Sequence, residues 1–280
     1  MKRITSNNFC LASLVAAGFA CSASIASAEC VPAHKFKTIE PGVLTVSTTI
    51  YPPFDIPQND GGFTGVEGDI LQKIADRECL KLKAESVSFS AAIQYVTVGR
   101  ADVSAGQWYR TAERLKAVGL TDGINLDQLG IYSKEGYTKL SQLEGKQVGT
   151  VQGYNWVPDL QKVYGDNLKL YPTPVALAQD LSTGRVDVGL DSAALGLYEQ
   201  QKKGGFKGFQ IRMGEPDPRV RASINPAQVG FAYTKDNAAL GVALNEDIAE
   251  LHKAKVIPQI MQSYGLDPKS ADVGAPRLVQ

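Results

Sequence analysis

From residue 43 onward, short β-branched runs alternate with stretches whose apolar residues recur at helical spacing. Val43–Thr48, Ala84–Phe89, Ala101–Ala105, Gln147–Val151, Leu168–Tyr171 and Val186–Leu190 read as strands. After a Pro/Gly/Asp loop that ends at Gly65, Ile70, Leu71, Ile74 and Ala75 mark one face of a helix running to about Cys79. Residues 237–264, with Leu240, Leu244, Ile248, Leu251, Val256 and Ile260, predict two amphipathic helices, the second carrying Pro258 in its first turn. This order predicts an α/β architecture with largely parallel sheets covered by helices. Gly130–Lys134 and Val229–Tyr233 alternate in strand fashion and lead into lysine-bearing turns, and read as connections between two parts of the fold.

The first 28 residues are of another kind. Lys2 and Arg3 precede the apolar stretch Phe9–Phe19, too short to span a bilayer, and Ala26-Ser27-Ala28 puts small residues at the cleavage positions. A secretory signal peptide is expected, with a mature chain beginning at Glu29 in an exported compartment. A lipoprotein cleavage before Cys21 is the alternative, opposed by the bulky Phe19. Removal of the signal takes Cys10 and Cys21 with it. Cys30 and Cys79 are then expected to form a disulfide in the oxidising compartment, two buried thiols being the alternative.

Composition narrows the function. The 29 basic and 29 acidic residues cancel, so no charge surplus draws the chain to nucleic acid. With only two histidines, His34 in a mobile mature N-terminus and His252 in the terminal helical region, neither a Ser-His-Asp triad nor a histidine metal site is supported. No phosphate loop or dinucleotide fingerprint occurs, and the glycines of Lys203–Gly208 read as a turn. Neither a cofactor nor enzymatic activity is expected.

An ordered series of segments carries a resemblance. Gly42-Val43-Leu44-Thr45-Val46, Tyr51-Pro52-Pro53-Phe54, Gly65 before an acidic helix start, Val98-Gly99-Arg100-Ala101-Asp102-Val103 and Thr111-Ala112-Glu113-Arg114 follow one another. Leu143–Gly149 with Gln152-Gly153, Gly184-Arg185-Val186-Asp187-Val188 with Asp191-Ser192, and Val229-Gly230-Phe231-Ala232 complete it. The series resembles the amino-acid-binding family of periplasmic solute-binding proteins, the capture subunits of ABC importers. The resemblance implies a two-lobed type II periplasmic binding fold in which two hinge strands join the lobes and ligand is trapped between them. Residues 29–133 and 231–280 would form lobe 1, and residues 134–230 an inserted lobe 2. The implied partners are an amino-acid-like ligand and the membrane subunits of an ABC permease, and a monomer is expected.

The resemblance also implies site residues. Arg114 matches the arginine that holds the ligand α-carboxylate, a task suited to its planar fork of donors. Thr111 would cap its helix, whose positive start would add to anion attraction; pairing with Glu113 on the surface is the alternative. Asp191 matches the carboxylate that takes the α-ammonium, with an N-cap role as the alternative. Tyr51 and Phe89 occupy the positions of aromatic walls, Phe89 having a core role as its alternative. Asn155 falls where the second lobe offers a backbone N–H to the carboxylate. Gly106, Trp108 and Tyr109 replace the small hydroxyl residues usual before the Thr-x-x-Arg segment, and with Tyr154 and Trp156 they suggest a cleft rich in aromatic surface. That surface favours an apolar, aromatic or extended ligand. Thr48 stands where many members carry an aspartate, which weakens the case for lysine or arginine as ligand. Arg110 is left open between a second anion contact and a solvated residue. A dehydratase of the same fold acting on a cyclic phenylalanine precursor, and a ligand-loaded subunit for a membrane sensor, are the alternative functions.

Overall fold

The computed structural model describes Met1 and residues 30–279, so the expected signal peptide, Cys10 and Cys21 lie outside the described residues apart from Met1. Contacts divide the chain into residues 1–30 and 31–280, and the fold below is that of the second unit. Cys30 and Cys79 are disulfide-bonded, as expected. No helix among the described residues is long and apolar enough to cross a membrane.

The chain begins with β1 (Val43–Thr48), the short hairpin β2 (Ile56–Pro57) and β3 (Phe63–Thr64), then β4 (Lys81–Ser86), β5 (Val103–Tyr109), β6 (Gly119–Leu120) and β7 (Asn125–Asp127). A second group follows: β8 (Leu129–Ser133), β9 (Val148–Val151), β10 (Leu168–Tyr171), β11 (Val188–Ser192) and β12 (Gln210–Met213). The chain then returns in β13 (Ala227–Tyr233). The first sheet has the order β4-β1-β5-β13-β6, with β7 also on β13, and the second β10-β9-β11-β8-β12. Each is mixed: the β4-β1-β5 and β10-β9-β11 ladders are parallel, whereas β13 and β8 join them antiparallel. Helical crossovers connect the parallel strands: Val66–Arg77 leads to β4, Phe89–Thr97 to β5, Val157–Tyr164 to β10 and Pro174–Ser182 to β11.

Helix packing follows the expected faces. In the helix Val66–Arg77, Val66, Ile70, Leu71, Ile74 and Ala75 are buried, while Glu67 and Asp69 open it and Arg77 closes it. Gly65, at φ 95°, precedes it because a Cβ there would lie 2.3 Å from the Phe54 carbonyl oxygen. That closeness lets Val66 N–H and Glu67 N–H donate to the carbonyls of Pro53 and Phe54.

Several expected boundaries shift. Residues 129–133 are not a free crossing: all five are buried and pair on both sides, with β11 and β12. The passage into the second sheet is therefore at Gln128, and the return enters the first sheet at Ala227. Phe89 leaves the predicted strand and opens the helix Phe89–Thr97, because the strand stops at Ser86 and Ser88 takes the extended N-cap conformation. The terminal helices Ala238–Lys253 and Val256–Ser263 form as the periodicity predicts.

Candidate functional site

The ends of β5 and β7 from the first sheet, and the segments that follow β1 in the first and β9 in the second, meet at a narrow pocket with an interior of about 20 Å³. Tyr51, Phe89, Gly106, Gln107, Tyr109, Arg114, Asp127, Tyr154, Asn155 and Trp156 line it. Eight of the sequence-predicted residues thus come together: Tyr51, Phe89, Gly106, Tyr109, Arg114, Tyr154, Asn155 and Trp156. The pocket shares Tyr51, Phe89 and Tyr154 with a wider cleft that Asp191 also lines.

Arg114 opens a short helical turn, Arg114–Ala117, and its N–H donates to Thr111 Oγ1 at 3.2 Å, although Glu113 rather than the expected Thr111 stands at the N-cap. A single turn adds little dipole, so the anion attraction expected of a helix start rests on the guanidinium itself. One Nη donates to the Tyr109 carbonyl at 2.9 Å, and the group lies 5.3 Å from the centre of the Trp108 ring. No carboxylate among the described residues pairs with it, so Glu113 is not its partner; Glu113 pairs with Lys116 instead. Burial lowers the Arg114 pKa to about 10.

Asp191 lies within β11 rather than after it, and the N-cap of the following helix is Ser192, whose side chain accepts from Leu195 N–H. Tyr154 Oη and Ser192 N–H donate to Asp191 Oδ1 at 3.0 and 2.7 Å. Burial, helped by repulsion from Asp127, raises its pKa to about 7 despite these donors. Tyr154 comes from the second lobe and its hydroxyl lies 3.4 Å from that of Tyr51 in the first. Its ring meets Phe89 at 6.3 Å and Trp156 at 5.1 Å, both edge-on.

Three residues differ from the sequence reading. Trp108 does not line the pocket. Its indole N–H donates to Ser104 Oγ and its ring is fully buried 4.6 Å from that of Phe89, supporting Phe89 and Arg114 from behind. Gly106 explains the turn-back, since a Cβ there would come within 2.9 Å of the Trp108 ring. Arg110 is neither solvated nor aimed at the pocket. It is buried, and its guanidinium donates to Thr121 O, Gln228 Oε1 and Arg277 O and pairs with Asp122. Asn155 offers more than its main chain, because neither atom of its buried side-chain amide has a hydrogen-bond partner.

Asp127, like Gln107, is a pocket residue that sequence reasoning missed. It ends β7, immediately before the passage into the second sheet, and is buried by Tyr109 on one side and Ser192 on the other. Tyr109 Oη donates to Oδ2, and Ser192 Oγ and Gln128 N–H donate to Oδ1. Nothing local in Asn125-Leu126-Asp127 marks it; the register that brings it beside Ser192 is a long-range property.

Among the described residues, one group of metal-type ligands gathers, His34, Glu78 and Asp247, away from the pocket. His34 contacts Glu78 at 2.7 Å and Glu246 at 2.8 Å, and Arg77 contacts Asp247 at 2.6 Å. The acids there are met by cations, an ion-pair cluster that raises the His34 pKa chiefly through Glu78. His34 is accordingly anchored rather than mobile.

Comparison with known proteins agrees with this architecture. The chain is 27% identical over 221 residues to the probable amino-acid-binding protein YxeM of Bacillus subtilis, covering 76% of this chain and 79% of that one. It is 26% identical over 236 residues to the L-cystine-binding protein TcyJ of Escherichia coli, covering 81% and 84%. Among solved structures, an ancestral arginine-binding protein bound to arginine superposes with a TM-score of 0.68 at 25% identity, covering 80% of this chain and 98% of that one. Residues 44–267 match the profile of the bacterial extracellular solute-binding proteins, family 3, and the chain belongs to that family.

Proposed function

We propose that this protein captures a free amino acid or amino-acid derivative outside the cytoplasm and delivers it to an ABC-type permease. One observation carries the reading: the cleft holds a half-buried guanidinium without a carboxylate, Arg114, and a buried carboxylate without a cation, Asp191. Those are the complements of the two ends of a zwitterion. Burying such charges unpaired costs several kcal/mol, about 2–5 for each broken pair, and a ligand that supplies both partners recovers it. The relatives named for amino-acid binding support the same class of ligand. Because the residues come from both sheets, clasping the ligand draws the lobes together about the passages near Gln128 and Pro226.

A thermal-shift screen of the purified protein against the amino acids, their D-forms and opine-like conjugates tests this. A ligand bound by the folded state alone raises the melting temperature, and no response to any of them would sink the reading.

The dehydratase reading has one observation in its favour, an Asp191 whose pKa near 7 suits a general acid. Incubation with a prephenate-like substrate separates the two, since a pure binding protein forms no product.

A further inference from the structure

Two further acids, Asp55 and Glu67, lie behind the pocket wall, and both are fully buried. Glu67, in the first turn of the helix Val66–Arg77, turns Oε2 toward β5, where Gly106 N–H and Gln107 N–H each donate to it at 2.9 Å. Those two residues have left the ladder. β13 pairs Ala232 with Ser104 and Gly230 with Trp108, so residues 105–107 stand opposite Phe231 alone, a bulge. Within it Gln107 takes φ 54°, a backbone conformation that a residue with a side chain keeps only where its surroundings fix it. Gly106 and Gln107 both line the inner pocket.

Asp55 belongs to another wall. Its backbone exchanges hydrogen bonds in both directions with that of Tyr51, which lines the pocket, and its carboxyl lies against that of Glu67. Neither Asp55 oxygen nor Glu67 Oε1 takes a hydrogen bond from any donor in the protein. The Thr48 hydroxyl faces Asp55 but donates to the Thr49 carbonyl at 3.3 Å, and Gln107 Nε2, beside Glu67, is turned to Asn125 Oδ1 at 3.5 Å. No lysine, arginine or histidine among the described residues pairs with either acid. Two ionised carboxylates repel in such a place, whereas one proton between them makes a hydrogen bond. The neighbours decide where it rests: two N–H donors favour the charged form of Glu67, and Asp55 has no such donors. Burial and the facing Glu67 charge hold the Asp55 carboxyl well above the usual carboxylate range.

We propose that Asp55 and Glu67 hold one proton between them and together act as the positioning pair of the pocket: the Asp55 carboxyl donates to Glu67 Oε1, and Glu67 Oε2 fixes the N–H groups of Gly106 and Gln107. The pair joins two walls, the turn that carries Tyr51 and the strand whose Tyr109 carbonyl holds Arg114. Loss of the proton sets two like charges between those walls. That the pocket so held receives an amino acid rests on the proposed function; the shared proton does not.

Infrared difference spectroscopy near pH 9 reads the proton directly, because a protonated carboxyl absorbs apart from carboxylates. The unaltered protein should show a protonated-carboxyl band that Asp55→Asn lacks. Glu67→Gln should lack it too, its amide donating to an ionised Asp55, so either variant serves if the other fails to fold. A band missing from the unaltered protein, or kept by both variants, overturns the inference. The backbone amide resonances of Gly106 and Gln107 read the positioning. Asp55→Asn, whose amide N–H stands in for the carboxyl O–H, should leave them in place; Glu67→Gln, which offers a neutral acceptor, should move both, and unmoved resonances overturn the positioning role. The twenty common L-amino acids and L-cystine, added singly and followed by calorimetry, probe the pocket. Any that binds the unaltered protein should bind Asp55→Asn as well and Glu67→Gln at least about threefold more weakly; equal affinity in Glu67→Gln overturns the positioning role. Binding by none of them removes the proposed function, while the band and the amide resonances still decide the pair.

Discussion

Arg110 and Arg114 sit four residues apart on either side of the same turn, the first buried and the second half-buried. Around Arg110 the chain closes its own circle. Three acceptors from β13, residue 121 and the C-terminal segment take its donors, and Arg277 in turn donates to Pro226 O while Gln228 holds the carbonyls of Val273 and Ala275. Around Arg114 the circle is open: one carbonyl and one ring face are its partners. An arginine whose fork is filled by its own chain is a structural tie, and one whose fork is left with donors facing a pocket is a receptor group. Residue type and spacing are identical in kind at the two positions, so the acceptors alone separate them.

The largest expected effect breaks the closed side of this comparison. Arg110→Ala strands buried acceptors and should cost about 3 kcal/mol of folding stability in denaturant titration, while the molecules that remain folded bind ligand as before. An unchanged midpoint would show that the C-terminal segment is not held through Arg110. On the open side, Arg114→Ala should weaken ligand binding at least about 30-fold with little change in unliganded melting temperature. A variant that melts early but keeps its affinity would reverse the roles assigned here.

A smaller effect comes from pH. With its pKa raised to about 7, Asp191 is increasingly protonated below that value and loses its attraction for an ammonium group. Apparent affinity should therefore fall about tenfold between pH 8 and pH 6. The unliganded stability runs in the opposite sense. A carboxyl with a raised folded-state pKa stabilises the protein at low pH, and that contribution is lost as pH rises from the ordinary carboxylate range through about 7. An affinity flat across this interval, measured by calorimetry, would place the ammonium elsewhere.

The smallest effect is optical. Trp156 lines the pocket and Trp108 stands behind Phe89, so Trp156→Phe should abolish most of any ligand-induced change in emission and Trp108→Phe should preserve it. Equal losses in both variants would mean that the ligand disturbs the wall as a whole.

What could be read from the chain follows from the range of the forces involved. The alternation of strands and helices is local, and it carried the α/β order, the terminal helices and the ordered motifs around Arg114 and Asp191. Long-range register is not local, which is why nothing in the sequence marks Asp127 and why Gly130–Lys134 reads as a connection although Leu129–Ser133 is an interior strand. Trp108 was misjudged for another reason. Its place on a strand beside Gly106 is legible, but a missing Cβ next door lets the indole fold back into the core, and that depends on packing rather than pattern. Arg110 lacked a local signal of any sort, since even its nearest acceptor, Thr121 O, lies 11 residues away and those at Gln228 and Arg277 lie more than 100.

Tyr154 reaches from the second lobe to the hydroxyl of Tyr51 and the ring of Phe89 in the first. These three side chains line both the wider cleft and the inner pocket, so a molecule moving from one to the other passes along them, and the site keeps time as well as place. Arrival and departure are then paced by contact with these rings. Trimming Tyr154 to a smaller apolar residue would hasten both, shortening the stay of a ligand even where the balance between bound and free changed little.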